Sequence, residues 1–457
     1  MGRFEGLDMA DNRFERRLSK QGGLAAEMAD ASRSARRMLP APTADEEAIR
    51  DVAAGVAAPV LVGYVLWLLE RARALGLKQL CFLSRDAQVL FEIAEVMVPC
   101  TGFQGEIRYV YSSRRTWSLA ASDPHRLDAA DWMFDSFTRS NAADVCAVLG
   151  LDPEAVSKLL ARAGVSPDQD VRADSAEQNA ALRRFVALPE VAAAVSPRIA
   201  HMRELVRDYA QQEGMAKADT GLVDAGWTGR MVGSLHAVLA DDGLSIPHVF
   251  FWGHEPLVSG GVDRALLHPY MYSTSGEPGV RWRVPGNPYI IETFCMSDHS
   301  IVSGYTRTGD ARVAAELDET NAAVSNWGLA VYRAAVRAFC LGLQLPGASA
   351  VEDIRPVLSA VLRDFWTAPT LAEAGAWGAY PYDSDPVGRS TLPLARPISA
   401  EMLASAGEPT FSWGDHAWLQ GSLALSGEPG RRAAAVLAER YEQLGGSALG
   451  MTRSTQG

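Results

Sequence analysis

Three short stretches place groups fit for phosphate chemistry directly after apolar runs. In "FLSRDA" (82–87), Ser84, Arg85 and Asp86 follow the run Leu80–Leu83. In "YVYSSRR" (109–115), Ser112, Ser113 and Arg114 follow Val110 and Tyr111. In "DAGWTGR" (224–230), Asp224 opens a turn containing Gly226, Trp227, Gly229 and Arg230. Carboxylates from two neighbouring strands can hold one hard cation such as Mg²⁺, which binds through one or two carboxylates plus water and phosphate oxygens. Serine hydroxyls at an adjacent strand end suit a phosphate. Gly226 and Gly229 permit close backbone approach, and the N–H groups of the helix that follows favour an anion. Arg85, Arg114 and Arg230 add positive charge.

Each piece has an ordinary use as well. Asp224 can cap the next helix, Ser112 and Ser113 can be turn residues, and Arg85 with Asp86 can form an ion pair. Their joint placement at three strand ends is what predicts a site. Asp86, Ser84 and Asp224 are its catalytic candidates, and Asp86 and Asp224 its Mg²⁺ ligands. Arg85, Ser112, Ser113, Arg114, Gly226, Trp227, Gly229, Arg230 and His299 are its substrate contacts. His299 belongs to an acid–histidine cluster with Asp298 and Glu292, a pattern suited to a general base. His248, His254 and Glu255 flank another apolar run and can add a wall. Trp227, Trp252 and Trp282 can stack on a base or sugar. No G-x-S-x-G elbow and no Walker A loop is present, which disfavours serine-hydrolase and P-loop chemistry.

The elements that must position these groups follow from periodicity. Apolar runs predict strands at 79–83, 107–111, 221–223 and 246–252. Helical spacing predicts helices at 46–76, 87–98 and 228–240. Strand, helix and strand over 79–111 form a βαβ unit, so both strands end on one edge. The expected fold is α/β, a Rossmann-like parallel sheet. A polar N-terminal arm covers 1–45, loosely packed, and the α/β core covers 46–122 and 216–310. A helical, cap-like insertion covers 123–215. The remainder, 311–457, is mostly helical and rich in Trp and Pro, with helices at 317–342, 350–366 and 430–443 and a surface wrap over 370–420.

Bulk composition narrows the class. The chain has 457 residues, 48% apolar and 21% charged, with net charge −12. That is a well-cored protein without the basic face that nucleic acid demands. Five scattered cysteines, without a C-x-x-C pair, argue against a zinc site or disulfide framework. The charged first residues lack the apolar core of a signal peptide, and cytoplasmic location is expected. Residues 52–69 carry no charge, yet they are short for a span and contain Pro59; a buried helix is expected rather than membrane insertion. Oligomeric state is left open.

The three motifs resemble the "FLSRDG", "YxxxSR" and "D-x-G-W-x-G" segments of proteins related to the haloacid dehalogenase (HAD) superfamily, often described as hydrolases. The segment "IETFCMSDHSIVSGY" (291–305) is similar as well, and the likeness spans about residues 50–310. It implies a HAD-like fold with a helical cap, Mg²⁺, and hydrolysis or transfer on a phosphorylated sugar, nucleotide-sugar or related small metabolite. By this likeness Ser84 stands at the nucleophile position, where the superfamily has Asp, and Asp86 at the acid/base position. Ser112 or Ser113 matches the phosphate-binding hydroxyl and Asp224 the metal ligand, with Lys217 a candidate for the basic residue. Serine is a weak nucleophile unless a base activates it. Three courses stay open: Asp86 attacks, an activated Ser84 attacks, or the pocket binds a phosphorylated ligand without reaction. A transferase using a nucleotide-linked donor, with the Trp-rich second half as acceptor site, is the alternative activity.

Overall fold

The computed structural model describes residues 10–134, 141–165, 176–226, 228–254, 261–273, 289–317, 320–345, 354–383, 391–405 and 416–443. From residue 10 the expected loose arm is instead two packed helices, α1 (Arg13–Gln21) and α2 (Gly23–Met38). Asn12 and Glu15 form a capping box at the start of α1, satisfying two otherwise unpaired N–H groups. Phe14, Leu18, Leu24 and Met28 are buried. Glu15 is buried too, with Arg36 at 2.8 Å and Ser32 Oγ at 2.8 Å. The polar residues that read as solvated are partners in an internal network, which Arg36 extends to Asp51 at 3.1 Å.

Next, α3 (Ala44–Val52), a π-helical turn over 53–57 and α4 (Ala58–Ala74) run on without a break. Pro59 directly follows the π-helical turn, at the second residue of α4. The stretch is long and apolar enough to cross a membrane, but its most apolar window is entirely buried within the fold.

The sheet strands begin with β1 (Gln79–Leu83), followed by α5 (Gln88–Thr101), β2 (Glu106–Val110) and α6 (Arg114–Ala121). The insertion is helical throughout its described part, with no named strand: α7 (Asp131–Phe134), α8 (Ala142–Leu149), α9 (Ser157–Ala163), α10 (Ala176–Val186) and α11 (Pro189–Gln212). It carries its own apolar cluster, including Phe134, Val145, Leu182, Phe185 and Ile199. The sheet resumes with β3 (Thr220–Asp224), α12 (Arg230–Ala240), β4 (His248–His254) and β5 (Leu267–Ser273).

All four strand pairings are parallel, in the order β2-β1-β3-β4-β5. Alternate side chains leave opposite faces of a strand. Leu80, Phe82 and Phe250 therefore join one core with α4 and α5, while Cys81, Leu83 and Phe251 join another with α6 and α12. This is a Rossmann-like α/β sheet covered on both faces. The strand at β5 escaped expectation because Pro269 interrupts it; Pro269 lies on the sheet's edge strand, where a missing donor is tolerated.

After the sheet come α13 (Tyr289–Phe294), the antiparallel hairpin β6 (Val302–Arg307) and β7 (Val313–Leu317), α14 (Ala322–Trp327) and α15 (Leu329–Gly342). The single helix expected at 317–342 is thus broken, at Gly328, whose φ of +138° suits glycine alone. Then follow α16 (Arg355–Thr367), α17 (Leu371–Gly378), the hairpin β8 (Pro381–Asp383) and β9 (Thr391–Pro393), α18 (Ala400–Ala404), α19 (Leu419–Leu425) and α20 (Gly427–Gln443). The described part of 370–420 is not merely a surface wrap. Trp377 and Trp418 are fully buried, and Trp418 Nε1 donates to the Trp366 carbonyl at 2.8 Å.

Candidate functional site

In the strand order, β1 pairs with β2 on one side and β3 on the other, while α5 and α12 lie on opposite faces. The connections diverge between β1 and β3, and in such sheets ligands bind in the crevice at the carboxyl ends of those strands. The residues there are Ser84, Arg85 and Asp86 after β1, and Asp224 closing β3.

Asp224 is buried at 7% exposure. Its Oδ1 accepts from the Gly226 N–H at 3.2 Å, and its carbonyl accepts from Tyr64 Oη at 3.0 Å. Burial, then the charge of Asp86, raises its carboxyl to about 7, against the opposing effect of the Gly226 N–H and Arg114. Glu292, on α13, behaves the same way: burial and then Asp86 raise it to about 7, Asp224 adds to the rise, and Arg114 and Arg85 oppose it. The buried Cys295 thiol is pushed well up by its burial and by Asp86, Asp224 and Glu292, so it stays a thiol. Asp86, Asp224, Glu292, Arg85 and Arg114 thus share one electrostatic neighbourhood. The sequence pattern grouped Glu292 with Asp298 and His299; the fold turns it toward the two aspartates instead. Asp86 and Asp224 are remote from it in sequence, so no local signal marks this grouping.

The serines serve the backbone. Ser84 Oγ donates to the Ser112 carbonyl at 2.9 Å and accepts from the Ser112 N–H at 2.8 Å, while Ser112 Oγ donates to the Ser84 carbonyl at 2.9 Å. Ser113 caps α6 by accepting from the Thr116 N–H at 3.2 Å, and its Oγ donates to the Val302 carbonyl at 2.8 Å. Ser84, Ser112 and Ser113 are all buried. The cap leaves the positive end of α6 beside Arg114, favourable to an anion. Arg115 reaches away to the Ala147 carbonyl at 2.9 Å in the insertion.

Gly226 is required by the protein itself. Its φ is +99°, and a Cβ there would meet the Gly253 carbonyl oxygen of β4 at 2.0 Å. Gly229, at φ +70°, precedes α12, and Arg230 begins that helix. Trp227, Glu255 and Trp282 lie outside the described residues, and His254 is described only as the end of β4. Trp252 is fully buried in the core. His248 opens β4 at the far edge of the sheet and pairs with His268 at 2.9 Å. Lys217 is exposed, ahead of the first residue of β3, so the length of a strand separates it from Asp224.

His299 is buried beside the site. Its Nε2 meets Tyr109 Oη at 2.6 Å and its Nδ1 meets the Ser300 carbonyl at 2.8 Å. Burial lowers its pKa, with Arg85 and Arg333 acting in the same direction. Asp298 turns the other way, toward Arg333 at 2.7 Å and Gln88 Nε2 at 2.8 Å.

Among the described residues no group of three or more His, Cys, Asp or Glu side chains is arranged to hold a metal ion. A cation at this edge would rest on Asp86 and Asp224, completing its shell with water and phosphate oxygens, as Mg²⁺ commonly does. The donors fit: both are carboxylate oxygens, and Asp224, raised by its burial and then by the charge of Asp86, is a group whose ionised form a divalent cation would favour. No family model matches the chain, and no curated protein matches it significantly.

Proposed function

We propose that the crevice between β1 and β3 is a metal-assisted phosphoryl-transfer site for a phosphorylated sugar, nucleotide-sugar or related small metabolite, on a scaffold of the HAD-like kind. The carrying observation is that carboxylates of separate elements converge at the carboxyl ends of β1 and β3: after burial, the charge of Asp86 raises both Asp224 and Glu292, and Arg114 opposes both. Asp86 and Asp224 would hold Mg²⁺, which when bound offsets phosphate charge as it develops in the transition state. Arg85, Arg114 and the start of α6 bind the phosphoryl oxygens. The arrangement of strand, acidic loop, strand ending in serine, helical insertion and strand ending in aspartate supports the likeness seen in the motifs.

In this reading Ser84 is a clasp rather than a nucleophile, because its hydroxyl is committed on both sides to the Ser112 backbone. Trp252, Trp377 and Trp418 are core residues, so these three are not walls of an acceptor site. Turnover of a panel of phosphate esters with Mg²⁺ tests the proposal. Wild type should release phosphate, and Asp86→Asn and Asp224→Asn should each lose at least about 100-fold in kcat/KM; equal activity in all three proteins refutes it.

A further inference from the structure

The committed hydroxyl of Ser84 leaves the site without a side-chain nucleophile at the expected position, and a different group beside it is built for proton transfer. The Ser300 carbonyl can only accept, so His299 Nδ1 carries a hydrogen toward it at 2.8 Å. In the neutral ring Nε2 is then an acceptor, and Tyr109 must donate its phenolic hydrogen there, at 2.6 Å. The oxygen lone pairs of Tyr109 remain free of that bond. Tyr109 stands opposite Phe82 in the β1–β2 register, two residues before Ser84, and after burial and Tyr111 the charge of Asp86 acts on the phenol. The chain of bonds has a direction: it can draw a proton out of the crevice toward His299.

The loop that holds His299 is pinned from three elements. The Asp298 N–H donates to Gln88 Oε1 at 3.0 Å on α5, and Arg333 of α15 holds the Asp298 carboxylate at 2.7 Å. The Asn321 N–H donates to the Asp298 carbonyl at 2.9 Å, and His299 itself forms a bridge with Thr320. Tyr111 packs edge-on against the His299 ring, with centroids 5.4 Å apart. A proton acceptor gains most from such fixed placement.

We propose that Tyr109 and His299 form a proton relay that activates an attacking hydroxyl, of water or of an alcohol acceptor, at the phosphate pocket. The inference rests on the phosphoryl-transfer reading above. The hydroxyl's O–H bond breaks and its proton passes to Tyr109 Oη as the Tyr109 proton passes to His299 Nε2. The hydroxyl oxygen forms its bond to phosphorus while the bond from phosphorus to the leaving oxygen breaks with its electron pair. The leaving oxygen takes a proton from solvent, and the imidazolium later gives one back to solvent. Asp298 beside the ring favours the transient imidazolium. The transfer is a single displacement, without a phosphorylated enzyme.

The test uses the full-length protein with its best ester substrate and Mg²⁺, comparing wild type, Tyr109→Phe and His299→Gln. Each substitution should lower kcat about 100-fold, the ordinary size of a general-base contribution. KM, and the affinity for inorganic phosphate with Mg²⁺, should stay within a factor of about three, as for groups that act in the transition state only. Acid quenching during turnover should trap no phosphorylated protein. Wild-type turnover with unchanged kcat in Tyr109→Phe, or an equal loss of phosphate affinity and rate, overturns the relay alone. No phosphate release and no phosphate binding by wild type overturns both readings.

Discussion

Ser84 and Ser112 hold each other through three hydrogen bonds of 2.8–2.9 Å, side chain to backbone in both directions. The pair ties the end of β1 to the residues after β2 and sets where Arg85 and Asp86 begin. Ser84→Ala would leave the buried Ser112 N–H unpaired, at a cost of about 1–3 kcal/mol. Urea unfolding should show that loss while turnover keeps the same order as wild type. A complete loss of turnover in a folded Ser84→Ala protein would instead make Ser84 the nucleophile.

Gly226 and Gly253 press together where β3 and β4 end. An alanine at 226 meets the Gly253 carbonyl oxygen and sits at φ +99°. Gly226→Ala should therefore destabilise by more than about 2 kcal/mol, against little change for Gly233→Ala, where the added Cβ meets nothing within 4 Å. Paired denaturation curves check the contrast.

The carboxyl of Asp224, raised to about 7, sets a pH dependence. A carboxyl whose folded pKa lies above its unfolded value of about 4 stabilises the fold below that value, and the contribution is lost as pH rises through about 7. Glu292, also raised to about 7, acts in the same sense. The lowered histidines, His268 at about 4 among them, act in the opposite sense and below about pH 6.5. Metal-free protein should therefore lose melting temperature as pH rises from about 5 to 7, less what the lowered histidines return below about 6.5, and level off above about pH 8. Asp224→Asn should flatten that slope, and Mg²⁺ should reverse it by favouring the ionised pair. A slope unchanged in Asp224→Asn would contradict the assignment.

The buried pair Glu15–Arg36 ties α1 to α2, and Arg36 carries the link on to Asp51 of α3. Glu15→Ala leaves Arg36 short of a partner in the interior and should cost about 3 kcal/mol. Removing Glu428 from its exposed pair with Arg431 should change nothing measurable. Thermal unfolding of the two variants separates a docked N-terminus from a loose one.

What could be read beforehand follows from burial. β1 and β3 are continuous apolar runs because both faces are covered, and such runs are legible without their partners. The edge strand β5 hides behind Pro269. Glu15 and Arg36 read as surface charge because polarity alone does not reveal a partner 21 residues away. At the site, the three motifs point to one sheet edge, and the charged members, Arg85, Asp86, Arg114 and Asp224, share one field there. Glu292 groups with Asp298 and His299 in the sequence because the partners that matter to it, Asp86 and Asp224, are remote there. The serines look like ligand groups by type, and only the geometry shows their hydroxyls spent on the neighbouring backbone.

The central claim is that Asp86 and Asp224, from adjacent strands, form one cation and phosphate site. Calorimetric titration of Mg²⁺ into the wild-type protein with inorganic phosphate, at pH 7.5, tests it most directly. The account predicts that each ligand tightens the other, and that Asp86→Asn or Asp224→Asn alone weakens Mg²⁺ at least about tenfold, close to 1.4 kcal/mol. Mg²⁺ affinity equal in wild type and both variants, or phosphate binding indifferent to Mg²⁺, would contradict it.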